Sequence, residues 1–160
     1  MKRFRFVFTV LFTLALQAAL AQSQQLTVQT ESGKTVLTRA DLEALPHIKV
    51  TTTKAGTSTV FEGIALEAVL EKAGVQFGET LRGKRLASCL LVEAADGYRA
   101  VIALPEIDPA FTSKQMILAL LKDGKPLDDK EGPYRIVIPD ESRMARWVRQ
   151  VTALKVVDVQ

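Results

Sequence analysis

Short apolar or β-branched runs, separated by turns rich in glycine and proline, follow one another from Leu26 to Val159. That punctuation confines the fold to sheet-rich architectures, because strand-length runs bounded by turn residues cannot be joined into a helical bundle. Leu26–Thr30 alternates apolar and polar residues, and Glu31-Ser32-Gly33 then turns the chain into Lys34–Leu37, which predicts a hairpin. His47–Thr53 carries Ile48, Val50 and three threonines, so its side-chain shapes favour a strand. Ala55-Gly56 permits a turn, and Thr57–Phe61 reads as the returning strand. Arg85–Val92 and Tyr98–Leu104 read as paired strands around Ala95-Asp96-Gly97. Met116–Leu121 fits a short helix or a buried strand by periodicity alone, and the Asp123-Gly124 turn directly after it favours the strand. Tyr134–Ile138, halted by Pro139, and Val151–Val159 complete the set.

Helices are few and short. Thr38-Arg39-Ala40-Asp41 has the spacing of a capping box, with Asp where Glu or Gln is usual. Leu42 and Leu45 supply that helix with a buried side and Pro46 ends it. Leu66, Val69, Leu70 and Ala73 repeat at helical spacing, and Gly74 stands where a left-handed cap is wanted. Many strands and two short helices define an α+β domain on a mixed or antiparallel sheet.

Ahead of these runs, Met1-Lys2-Arg3-Phe4-Arg5 precedes an apolar stretch from Phe6 to about Leu20, closing on Ala19-Leu20-Ala21. A positive start, an apolar centre and small residues at the cleavage positions predict a secretory signal over 1–21, removed before Gln22. The expected location is the periplasm, or the outside of a host with one membrane. The formal charge of +3 then changes meaning, since removing Lys2, Arg3 and Arg5 from the 21 basic residues leaves as many as the 18 acidic ones. A neutral mature chain lacks the basic excess that nucleic acid requires. It equally lacks an electrostatic attraction to anionic membranes, and no stable membrane insertion is expected after cleavage. Residues 22–160 suffice for one domain, with no repeat and no linker tract. Cys89 is the only cysteine, so no internal disulfide forms, and its apolar surroundings predict a buried thiol.

The usual catalytic sets lack their parts. His47 is the single histidine and cannot build a protein-only zinc or copper site. No serine stands in a Gly-x-Ser-x-Gly setting, and no phosphate-binding glycine loop occurs. Asp128-Asp129 and Asp140-Glu141 lie in polar, turn-like stretches, where carboxylates stay ionised and solvated.

Several segments, taken in order, resemble the molybdopterin-binding oxidoreductase domain, the sulfite-oxidase fold. Phe61-Glu62-Gly63-Ile64-Ala65-Leu66 with Val69-Leu70 and Ala73-Gly74 looks like its W-x-G-x-x-L…L-L…A-G stretch. Asp96-Gly97-Tyr98, Asp123-Gly124-Lys125-Pro126-Leu127, Gly132-Pro133-Tyr134-Arg135-Ile136-Val137-Ile138-Pro139 and Arg146-Trp147-Val148 continue the resemblance, which spans about Thr35 to Val159.

In catalytic members of that family a cysteine thiolate before the W-x-G segment binds molybdenum, a soft sulfur ligand that holds and tunes the metal. The matching stretch here, Val50–Val60, has no cysteine, and Cys89 lies far down the chain. The loop expected to approach the pterin phosphate corresponds to Asp140–Ala145, which is shorter, lacks glycine and opens with two carboxylates that repel a phosphate unless turned outward. Lys130 and Glu131 stand where the family places a histidine. Arg135 matches the cofactor-facing arginine, and Arg146 stands where a lysine or arginine is usual. The predicted signal, together with the resemblance and the parts it lacks here, leads to the expectation of an exported, non-catalytic scaffold with no protein metal ligands and no catalytic residues, whose former cofactor cleft binds a small anionic ligand or a partner protein, for instance beside a membrane receptor. The residues expected around that cleft are Arg135, Arg146, Tyr98 and Lys54. Two alternatives stand beside it: an oxidoreductase that holds the molybdenum–pterin cofactor through an unconventional ligand, and a small redox-partner domain. For Arg135 the competing placement is the surface of an edge strand; for Trp147 it is the core.

Overall fold

A computed structural model describes residues 24–139 and 141–158, so the export signal read over 1–21 lies outside the described residues. Two five-stranded sheets carry the fold. The first comprises β1 (Leu26–Thr30), β2 (Gly33–Leu37), β5 (Cys89–Ala94), β6 (Arg99–Ala103) and β10 (Val151–Val157), in the order β2-β1-β10-β5-β6. Within it β1 and β10 run parallel, with Thr27 opposite Ala153, while the other pairs are antiparallel. The second comprises β3 (His47–Lys54), β4 (Thr57–Ala65), β7 (Ile117–Lys122), β8 (Lys125–Pro126) and β9 (Arg135–Val137). Its order is β3-β4-β7-β8, and β9 also pairs with β7.

Local chemistry accounts for both helices. Helix α1 (Arg39–Glu43) starts at Thr38, whose hydroxyl accepts from the Asp41 amide at 3.2 Å while the Thr38 amide donates to the Asp41 carboxylate at 2.9 Å. An aspartate therefore completes this capping box despite its short reach. Helix α2 (Leu66–Lys72) buries Leu66, Val69 and Leu70 and ends at Gly74, whose φ of +91° lets the chain turn back. The core joins the layers: Val28, Leu90 and Leu154 of the first sheet and Phe61, Ile64 and Leu118 of the second belong to one buried cluster with α2.

Strand β7 is buried on both faces over Ile117–Leu120, since it has neighbours on both edges and core on both sides. That double burial explains why its sequence is continuously apolar rather than alternating, and it resolves the helix-or-strand ambiguity in favour of the strand. Strand β4 runs to Ala65, beyond the Phe61 expected, because it continues along β7 through an irregularity at Glu62/Gly63. Gly63 is required there: a Cβ at that position would lie 2.1 Å from the Leu118 carbonyl oxygen.

Strand β5 begins at Cys89, not at Arg85. Gly83 has φ of +60°, and the Arg85 guanidinium donates to the carbonyls of Gln76 and Thr80 at 3.3 Å each, which holds Gly83–Ala87 in a 3-10 turn. The later start sets the alternation so that Leu90, Val92 and Ala94 face the core. Cys89 falls on the opposite side and is half-buried, which corrects the expectation of a buried thiol.

Candidate functional site

A cleft of about 200 Å³ opens where the β3–β4 turn, the end of β7, the start of β9 and the Met144–Trp147 segment converge. The β3–β4 turn is tight, with Ala55 at φ +48° and Gly56 at φ +80°, and it sets Lys54 at one lip. Phe61 stands opposite Lys122 in the β4–β7 ladder, and Arg135 stands opposite Ala119 in the β7–β9 ladder. The Ile136 amide donates to the Val148 carbonyl at 2.8 Å, and the Gln150 amide to the Glu131 carbonyl at 3.0 Å. Those two bonds bring Glu131, Arg135 and Trp147, separated in sequence, to one wall.

Cations dominate this cleft. Among the described residues, Lys54, Lys122 and Arg135 line it against a single carboxylate, Glu131, an excess of two positive charges. Arg135 is 7% exposed, and its Nη1 donates to Glu131 Oε1 at 2.6 Å. Lys122 Nζ reaches both Glu131 oxygens at 3.2 Å. Aromatic faces help to hold the charges: the Arg135 guanidinium carbon lies 5.3 Å from the Phe61 ring centre and 5.6 Å from that of Trp147. Lys54 and Lys122 approach Trp147 and Phe61 at 5.9 and 6.0 Å.

Two donors on this wall are unspent. Arg135 Nε and Trp147 Nε1 are buried and have no hydrogen-bond partner among the described residues. Buried N–H groups are nearly always paired, and leaving one unpaired costs about 1–3 kcal/mol. Two such donors in one cationic cleft mark a place where an acceptor belongs.

Of the four residues expected around the cleft, Arg135 and Lys54 line it. Lys54 Nζ also donates to the Glu141 carbonyl, tying the lip to the segment before Met144. Arg146 does not line the cleft. Its Nε donates to Glu141 at 2.6 Å, and its terminal nitrogens donate to Glu106 at 3.2 and 3.1 Å. These bonds hold the Glu106 carboxyl below the usual range and raise the already high Arg146 value. Arg146 engages Glu141 Oε1, whereas Oε2 is buried without a partner among the described residues; Glu141 is not in the cleft lining, and Asp140 lies outside the described residues. Tyr98 borders a neighbouring depression that shares Met144 and Trp147 with the cleft, and its hydroxyl donates to the Ala145 carbonyl at 2.7 Å.

Trp147 is 4% exposed and packs edge-on against Phe61, with ring centres 6.1 Å apart, so it fills the core and walls the cleft at once. Arg135 is buried rather than set on a solvent-facing edge. Lys122 and Phe61 were not readable as site residues, because only the β4–β7 pairing brings them together. Glu131 carried a signal, the replacement of the family's histidine by a carboxylate.

This arrangement of two sheets around a cleft framed by β4, β7 and β9 is the sulfite-oxidase-like fold. Residues 38–160 match the family described as the oxidoreductase molybdopterin binding domain, and the chain belongs to that family. The fold is similar to the crystal structure of the sulfane dehydrogenase SoxCD from Paracoccus pantotrophus, with a TM-score of 0.68 and 19% identity over 86% of this chain. The matched part spans 39% of that longer chain. No curated protein matches this one.

The donor set of the cleft does not fit a molybdenum ion. The metal calls for a soft thiolate, and the lining offers ammonium, guanidinium, carboxylate and threonine hydroxyl groups, with the Met144 thioether. Cys89, the only thiol, belongs to β5 in the other sheet. The same lining does fit an anion.

Proposed function

We propose that this protein is an exported, non-catalytic member of the molybdopterin-binding-domain family whose former cofactor cleft binds a small anion. The observation that carries the reading is the pair of buried donors, Arg135 Nε and Trp147 Nε1, without partners among the described residues, in a cleft whose described lining has two excess positive charges. A bound acceptor satisfies both donors and is held by charge in a setting that partly excludes water. Lys54 and Arg135 act at the cleft itself. Arg146 acts at a distance, fixing the Met144–Trp147 segment through Glu106 and Glu141, and Tyr98 fastens the same segment at Ala145. Export rests on the charged, apolar and small-residue sequence of Met1–Ala21.

The test is purification from the native host, followed by N-terminal sequencing, metal analysis and fluorescence detection of released pterin. The reading expects a mature chain starting at Gln22 without stoichiometric molybdenum or pterin. Stoichiometric molybdenum with pterin would contradict it and restore the oxidoreductase.

A further inference from the structure

We infer that the ligand of the Arg135 cleft is an organic monocarboxylate with a short apolar body, not an inorganic oxyanion; this rests on the anion-binding reading above. Arg135 makes no hydrogen bond among the described residues except that from Nη1 to Glu131. The side of the guanidinium fork formed by Nε and Nη2 is therefore left to a ligand. Two parallel N–H groups on one edge match two oxygens of one acceptor, carboxylate or oxyanion alike. Trp147 Nε1 adds a third donor without adding charge.

Charge favours an anion of either valence. Glu131 sits on the same guanidinium at 2.6 Å, so any anion on the open edge faces a carboxylate close by. Repulsion from Glu131 and attraction to Lys54, Lys122 and Arg135 both scale with the ligand's charge, so charge does not choose between a monocarboxylate and an oxyanion. Size and lining do. A volume of about 200 Å³ exceeds what a bare oxyanion fills, and Phe61, Trp147 and Met144 offer apolar surface beside the donors. It is smaller than the roughly 300–1,000 Å³ of pockets for drug-sized ligands, which keeps the body short.

Calorimetric titration of the full protein with benzoate, benzamide and sulfate tests this. Benzamide keeps the ring and removes the charge; sulfate removes the ring and carries two charges instead of one. The expected result is saturable benzoate binding, at least about tenfold tighter than either comparator, and weakened about tenfold or more in Arg135→Lys. Sulfate binding as tight as benzoate overturns the carboxylate inference and leaves anion binding standing. Benzamide binding equal to benzoate overturns it as well, since charge then contributes nothing. Binding of none of the three overturns both this inference and the reading on which it rests.

Discussion

Arg135 Nη1 meets Glu131 Oε1 at 2.6 Å, with 8% and 15% of the two side chains exposed. That contact holds the guanidinium against Phe61 and Trp147 and sets which of its edges faces a ligand. Breaking a buried pair from one side strands a charge and costs about 3 kcal/mol, whereas removing both partners is close to neutral. Glu131→Gln strands the buried Arg135 guanidinium and therefore lowers the urea unfolding free energy by about 3 kcal/mol. The double variant Arg135→Met/Glu131→Gln recovers most of that loss. A single variant as stable as the parent would show that the pair contributes only at the level of an exposed bridge.

Trp147 separates packing from recognition. Trp147→Phe keeps an aromatic ring near Phe61 and removes the orphaned Nε1 donor. A hydrogen bond to a charged acceptor contributes about 1.5–3 kcal/mol, so benzoate affinity should fall about tenfold or more. The unliganded variant should lose less than about 2 kcal/mol, because an unsatisfied donor goes with the ring atoms. Thermal unfolding with and without benzoate distinguishes the two effects.

Gly63 has no alternative. A methyl group there would meet Leu118 backbone oxygen at 2.1 Å, and backbone in the middle of a ladder cannot move aside as a side chain can. Gly63→Ala is expected to cost about 3 kcal/mol or more, measured by urea unfolding, or to prevent accumulation of soluble protein. Retention of parental stability would mean that β4 and β7 are not in this register.

The Arg146 latch has a pH signature. The bond to Arg146 holds Glu106 below its ordinary value, so its folded pKa is lower than its unfolded one. That stabilisation is fully present above the unfolded glutamate value of about 4.3 and is lost as pH falls through the lowered folded value. Glu106→Gln should flatten this part of the acid limb and cost no more than about 1 kcal/mol at neutral pH, since the pair is one-third exposed. Urea midpoints of both proteins at a series of acidic pH values check it; parallel curves would exclude Glu106 as the titrating partner.

Much of the fold was legible because its signals are local. The Thr38–Asp41 box, the Leu66–Ala73 stripe and the Asp96-Gly97 and Asp123-Gly124 turns each depend on residues a few positions apart. The start of β5 was not legible, because Arg85 is drawn into a turn by carbonyls of a preceding segment that no local pattern reveals. The site was legible only in part for the same reason. Arg135 and Lys54 could be picked from the family resemblance, but the role of Lys122 comes from its register with Phe61. Arg146 looked like a ligand residue because its partners, Glu106 and Glu141, lie 40 and five positions away.

Trp147 is the only tryptophan in the chain, so its indole N–H gives one side-chain signal in a nitrogen–proton correlation spectrum. Titrating benzoate while following that signal and the Arg135 Nε–H asks directly whether the cleft takes an anion on its two orphaned donors. The account predicts that both signals shift together and saturate, and that Arg135→Lys abolishes the indole shift. Signals that stay fixed through millimolar benzoate, sulfate and phosphate would contradict it.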